Sequence, residues 1–185
     1  MRRAVPALLA LLLSTTAHAQ SGELTVPLAP PQAQQAILQA VQRIPARQEA
    51  HRRYRMALPY GAPLFPPDAD LALAPSGDAL AAWLRLPPEQ RRHDVLIAPD
   101  VDYYWNAEGR QFSCQFIVHV QAAADRGQSR LAVLQVRPTV YAGKSFKLLG
   151  RTGPGAYMDL RPAAPSAQST AELRTFLASA LGQPQ

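Results

Sequence analysis

Between Phe112 and Gln121 two sets of residues alternate: the apolar Phe112, Cys114, Phe116, Val118 and Val120 are interleaved with Ser113, Gln115, Ile117, His119 and Gln121, four of which are polar. Successive side chains of a strand point to opposite faces, so this period of two predicts a half-buried strand. Residues 131–141 predict a second long strand, reached through the turn-forming run Asp125-Arg126-Gly127-Gln128. Pro138 has no N–H to give to a ladder and predicts an edge or a bulge at that end. Residues 95–97 and 101–105 are strand-like, with Pro99 interrupting them. Asn106-Ala107-Glu108-Gly109 supplies a turn, so the 101–105 strand can pair back on the Phe112 strand. Tyr103 and Trp105 then become core partners of Phe112 and Phe116, while Asp102 and Tyr104 share the opposite face. In His51-Arg52-Arg53-Tyr54-Arg55-Met56-Ala57-Leu58 the same period places Tyr54, Met56 and Leu58 on one side of a strand and Arg53 and Arg55 on the other. Residues 143–155 read as a glycine-rich loop, and 156–160 as one more short strand.

A period of 3.6 takes over elsewhere. Ala33, Ala36, Ile37, Ala40, Val41 and Ile44 follow the i, i+3, i+4 rule and predict an amphipathic helix over 32–44, stopped by Pro45. Residues 59–75 hold five prolines and read as an extended surface excursion. Ser76-Gly77-Asp78 can then cap a short helix carrying Leu80, Trp83 and Leu84, and Pro87-Pro88-Glu89-Gln90-Arg91-Arg92 starts another with proline in its first turn. Ser169-Thr170-Ala171-Glu172 has the form of a capping box ahead of the stripe Leu173, Phe176, Leu177, Ala180 and Leu181, with Gly182 as the C-terminal stop.

These elements predict an α+β fold: an antiparallel β-meander covered on one face by amphipathic helices, with a long C-terminal helix. Over residues 51–182 the element order resembles the helix-grip arrangement, in which a C-terminal helix lies across a curved antiparallel sheet. The resemblance rests on element order and implies no activity.

The start of the chain adds a compartment. Met1-Arg2-Arg3, an apolar run over 4–13 and Ala17-His18-Ala19 are the three zones of a secretory signal peptide cut after Ala19. The apolar run is about half of the roughly 20 residues a membrane-spanning helix needs, so no integral anchor is expected. The expected organisation is a signal peptide over 1–19, a flexible lead-in over 20–30 and a single globular domain over 31–182, in a periplasmic or secreted soluble protein. Loss of Arg2 and Arg3 lowers the formal charge from +6 to +4. A basic exported protein can meet anionic surfaces at long range. Nucleic acid is not expected as a partner, because of the export signal and because no stacking aromatics are interleaved with a basic groove. Cys114 is the only cysteine, so no disulfide forms within the chain. It is buried and inert, or pairs with another chain.

The motifs that could carry chemistry are weak. Gly143-Lys144-Ser145 ends like a phosphate-binding P-loop, but Pro138 stands where that loop needs a glycine. Gly150-Arg151-Thr152-Gly153-Pro154-Gly155 can form an anion nest with Arg151 beside it, or simply a tight turn. The mature chain offers only His51, His93 and His119, none at ligand spacing with another His or Cys, so no metal is expected. No Gly-x-Ser-x-Gly occurs, no catalytic group stands out and no cofactor is implied. The leading expectation is a periplasmic protein that acts by binding, as an envelope accessory or interaction module rather than an enzyme. A carrier of an apolar or lipid-like ligand, held at Phe176 between the closing helix and the sheet, is the first alternative. A hydrolase using Asp102 and His119 is the second. The candidate binding residues are accordingly Asp102, Tyr104, His119, Arg151 and Phe176.

Overall fold

The computed structural model describes residues 23–42, 54–73, 77–99, 105–107, 110–148 and 154–182. In chain order they form β1 (Leu24–Val26), α1 (Pro30–Gln42), β2 (Tyr54–Pro59), α2 (Asp68–Ala72), α3 (Asp78–Leu84), α4 (Pro88–Arg91), β3 (Val95–Pro99), β4 (Trp105–Ala107), β5 (Arg110–Ala122), β6 (Ser129–Leu148), β7 (Pro154–Pro162) and α5 (Ala167–Ala180). One antiparallel sheet runs in the order β1-β6-β5-β3-β2, with β4 also on β5 and β7 also on β6. The α+β class and the helix-covered antiparallel sheet are as the periodicities predict.

The alternation in β5 sorts its side chains between two cores. Phe112, Cys114, Phe116, Val118 and Val120 join Val95, Ile97 and Leu131 beneath α1 and α5, which contribute Ala33, Ile37 and Val41, and Leu173, Leu177 and Leu181. Burying each of the large aliphatic side chains is worth about 1.5–3 kcal/mol. Ile117, the apolar member of the other set, meets Leu96, Leu134 and Val136 on the second face. Phe65, Leu71, Leu80 and Trp83 cover that face, so a second, smaller core lies behind the sheet. All four come from the segment between β2 and β3, whose ends are tied by the Pro59↔Val95 pairing and by Tyr60 N–H donating to Asp94 O at 2.9 Å.

Bulges tune which face each strand presents. On β6, Ser113↔Thr139 is followed by Gln115↔Val136, so Arg137 and Pro138 interrupt the pairing, and Arg137 takes φ 52°. The missing N–H of Pro138 is accommodated at a bulge, the outcome its chemistry predicts. On β2, Tyr54↔Pro99 is followed by Met56↔Ala98, so Arg55 is the extra residue. Tyr54 and Ala57 therefore point into the helix-side core while Leu58 packs toward the second one, and the expected grouping of Tyr54, Met56 and Leu58 on one side does not hold.

Several local expectations need correction. Part of the 20–30 lead-in is ordered: Leu24–Val26 pair with Leu131, Arg130 and Ser129, and Ser129 Oγ–H donates to Leu28 O at 2.6 Å. A three-residue edge strand is too short to show a period. The proline-rich excursion contains α2, started after Pro67 and carrying Asp68 and Asp70 in its first turn, where acids favour the helix dipole. Phe65 and Leu71 from it are buried, while Leu64 and Leu73 stay exposed. The glycine-rich loop over 143–155 is largely strand: β6 runs on to Leu148 against β7 from Pro154, with a bulge between Tyr141 and Gly143, which takes φ 140°.

The closing helix begins three residues ahead of the expected capping box. Gln135 holds Ser166 by both backbone groups, accepting from its N–H and donating to its O, which keeps Ser166 extended and outside the helix. Ser166 Oγ then accepts from the Ser169 N–H at 3.3 Å. Ser169 lies one turn in, its Oγ buried without a partner. Ser166→Ala is expected to cost about 1 kcal/mol, the usual worth of an N-cap, whereas Ser169→Ala should be neutral or stabilising. Urea midpoints of the two variants check this, and equal losses would restore the Ser169 cap. Gly182, at φ 77°, ends the helix as expected.

Candidate functional site

The Asp94–His119 pair is assembled by strand pairing rather than by sequence proximity. Asp94 follows α4 and immediately precedes β3; its N–H donates to Arg91 O at 2.9 Å. Val95↔Val118 pairing brings it beside the end of β5, where Val120 N–H donates to Asp94 Oδ1 at 2.9 Å. Trp83 Nε1–H donates to Oδ2 at 2.6 Å, and His119 Nδ1 lies 2.9 and 2.8 Å from the two oxygens. The carboxyl group is wholly buried, and His119 nearly so. A carboxylate only accepts and an amide nitrogen only donates, so His119 donates from Nδ1 to Asp94 and accepts at Nε2. Gln121 Nε2 sits 2.7 Å from that atom and supplies the proton. His119 and Gln121 are two apart on one strand and share a face.

The polar chain from Asp94 through His119 ends at Gln121, and Gln121 lines an open cleft of about 590 Å³. Pro30 and Pro31 at the start of α1 form one wall, Glu89, Gln90, Arg92 and His93 a second, and Gln121, Ala122 and Arg130 at the β5–β6 end the third. Gln34 fixes the second wall by donating to Arg92 O at 3.2 Å and to Asp94 O at 3.4 Å. Arg92 Nε–H donates to His93 Nε2 at 3.0 Å. Partial burial, and then the Arg92 charge, hold the His93 pKa below the usual imidazole value, with Asp94 opposing. Near neutral pH the fixed cations of the cleft are therefore Arg92 and Arg130.

Arg91 points the other way, into the second core. It donates to both Asp68 oxygens at 2.9 Å, and its guanidinium lies 4.6 Å from the Trp83 ring centroid and 5.0 Å from that of Tyr60. This clamp holds α2 and α4 together over Trp83 and so supports the indole that serves Asp94.

Of the residues expected at a site, His119 is central, but its carboxylate is Asp94. Asp102, Tyr104 and Arg151 lie outside the described residues. Phe176 is half-buried, its ring 5.1 Å from that of Tyr54, and the fully buried Leu173 and Leu177 fill the adjoining space beneath α5. Gly143, Lys144 and Ser145 pair in the β6–β7 ladder with Asp159, Met158 and Tyr157, a strand setting that cannot wrap a phosphate. Among the described residues no three His, Cys, Asp or Glu side chains gather in a way that could hold a metal ion. Nor is any helix among them long and apolar enough to cross a membrane. Asp94 and Trp83 were missed as site residues. The local signal for Asp94 was a charged residue abutting the buried run Val95-Leu96-Ile97.

Cys114 lies in the helix-side core, and burial pushes its thiol far above the ordinary range. The native protein should therefore resist an excess of a thiol-reactive disulfide over minutes and react fully once denatured. Absorbance of the released thiolate reads this out, and prompt native reaction would contradict the burial.

Comparisons with protein-family models, with curated proteins and with solved structures give no match to this chain. The helix-grip likeness therefore stays one of element order, and the functional reading comes from the site's own geometry.

Proposed function

We propose that the chain is exported to the periplasm and acts there by binding, as an envelope accessory or interaction module, through the cleft at the β5–β6 end of the sheet. The observation that carries this reading is the position of Gln121. In an Asp–His pair built for acid–base chemistry, Nε2 of the imidazole faces a nucleophile or a water to be activated. Here that nitrogen is engaged by a side-chain amide at 2.7 Å. The pair therefore serves to hold Gln121 in one orientation on the cleft wall, a positioning task suited to recognition. The volume of about 590 Å³ is within the range of small-molecule sites.

Export rests on the three-zone start of the chain. A photo-reactive residue at Gln90, on the cleft wall, should give an adduct of defined mass in intact cells, recovered from the periplasmic fraction. The same probe at Leu64, exposed on the excursion, serves as the control. No adduct at Gln90, or the same adduct at both positions, would overturn the cleft as the contact site.

A further inference from the structure

Resting on that reading of the cleft, we infer that its ligand is a small molecule bearing an oxyanion, a phosphate or carboxylate group, held between Arg92 and Arg130 over the Gln121 amide. The cleft draws Arg92 from the turn after α4 and Arg130 from the start of β6, with Glu89 as the one carboxylate on its walls among the described residues. Both arginines are exposed. The bond from Arg92 Nε to His93 leaves the terminal guanidinium nitrogens of Arg92 for a ligand. Among the described residues Arg130 has a single loose ion pair, 3.6 Å from Glu23, with both side chains about half exposed at 49% and 41%. Such surface pairs contribute little, so an incoming oxyanion competes with it at small cost. A guanidinium meets phosphate and carboxylate oxygens through two parallel N–H bonds, which makes a pair of arginines selective for this class.

Two further features point the same way. An amide has two N–H donors, and with one given to His119 Nε2 the other remains for an acceptor in the cleft. Because His119 is itself pinned by the buried Asp94, that donor is oriented before any ligand arrives. The start of α1 forms the facing wall, and its first turn carries no acidic residue to offset the positive end of the helix dipole. Pro30 and Pro31 have no N–H, so this end contributes field rather than hydrogen bonds. The walls thus set positive potential and N–H donors beside the apolar Pro30, Pro31, Val120 and Ala122, and a neutral lipid-like ligand would leave those charges and donors without a partner.

The test uses the mature chain with three probes: inorganic phosphate, citrate, and vesicles of phosphatidylglycerol, followed by calorimetry and by NMR of the Gln121 side-chain amide. Phosphate or citrate should bind and shift that amide, and Arg92→Ala and Arg130→Ala should each weaken binding about tenfold, or about 1.4 kcal/mol. Arg85→Ala, which removes an exposed charge elsewhere, should leave affinity unchanged. Vesicle binding with the same dependence on Arg92 and Arg130, and none of the soluble anions, would make a lipid headgroup the source of the oxyanion. No binding of any probe at millimolar concentration, or a loss as large in Arg85→Ala as in the cleft variants, overturns the inference. A Gln90 adduct obtained alongside that negative result would leave the cleft as a contact site and remove only its ligand class.

Discussion

Asp94→Ala is expected to lower folding stability by about 3–5 kcal/mol, the cost of removing one member of a buried, hydrogen-bonded charged group. The substitution strands three donors at once: Trp83 Nε1–H, His119 Nδ1–H and the Val120 N–H, all buried around a carboxylate with no solvent exposure. A buried donor left without a partner costs about 1–3 kcal/mol, and relaxation after the deletion lets some of the three find water. Domains of this size carry about 5–15 kcal/mol in total, so Asp94→Ala could abolish folding altogether. Asp94→Asn keeps the shape and tests the same point more gently. Its amide has one acceptor oxygen where the carboxylate had two, so an N–H group is turned toward a donor, and a loss of about 2–3 kcal/mol is expected. With a urea m-value of about 2 kcal/mol per molar, the Asn variant should unfold roughly 1 M earlier. An unchanged midpoint in Asp94→Asn would mean that the carboxylate is not the centre of this network. In the same variant the Gln121 amide resonances should broaden or move, because His119 loses the partner that fixes its tautomer.

How much of this was legible depended on the range of the interaction. The β5 alternation, the α1 and α5 stripes and the turn at Asp125–Gln128 are local patterns, and each predicts its element directly. Pro138 was equally informative, since a residue without an N–H constrains any ladder it enters. Ile117 was the clue that went unused. An isoleucine among Ser113, Gln115, His119 and Gln121 signals that the second face is also covered over part of its length, as Trp83, Leu80 and Leu71 cover it.

The remainder was settled by contacts between distant segments. Residues 143–148 look like loop because glycine is a turn residue, yet pairing with β7 supplies hydrogen bonds that local preference does not foresee. Ser166 and Ser169 are both plausible caps, and Gln135, 31 residues away from Ser166, chooses between them. His119 meets Asp94, 25 residues distant in sequence and brought to β5 by the β3–β5 register, while Asp102, the carboxylate expected beside it, lies outside the described residues. In the sequence, Asp94 and Asp102 flank the same largely apolar run, and no local pattern marks Asp94 as the buried one.

Trp83 should be the second most sensitive position, and its substitutions separate two contributions. Trp83→Ala is expected to cost about 3–5 kcal/mol, the range for emptying a large aromatic site in a packed core. The indole is 2% exposed and lies between Phe65, Tyr60 and the Arg91 guanidinium, so its removal leaves a cavity and strips one face of the clamp. Trp83→Phe retains much of the ring and removes the N–H, leaving Asp94 with the donors from His119 and Val120. That loss should be about 1–3 kcal/mol, in the range for a hydrogen bond to a charged group. Combining Trp83→Phe with Asp94→Asn then gives the coupling between them, and a departure from additivity of about 1 kcal/mol or more is expected for groups bonded at 2.6 Å. Additive losses would mean that the indole acts by filling space alone. A coupling would mean that the second core also sets the position of Asp94, so that the proline-rich excursion, through Trp83, Asp94 and His119, determines how Gln121 faces the cleft.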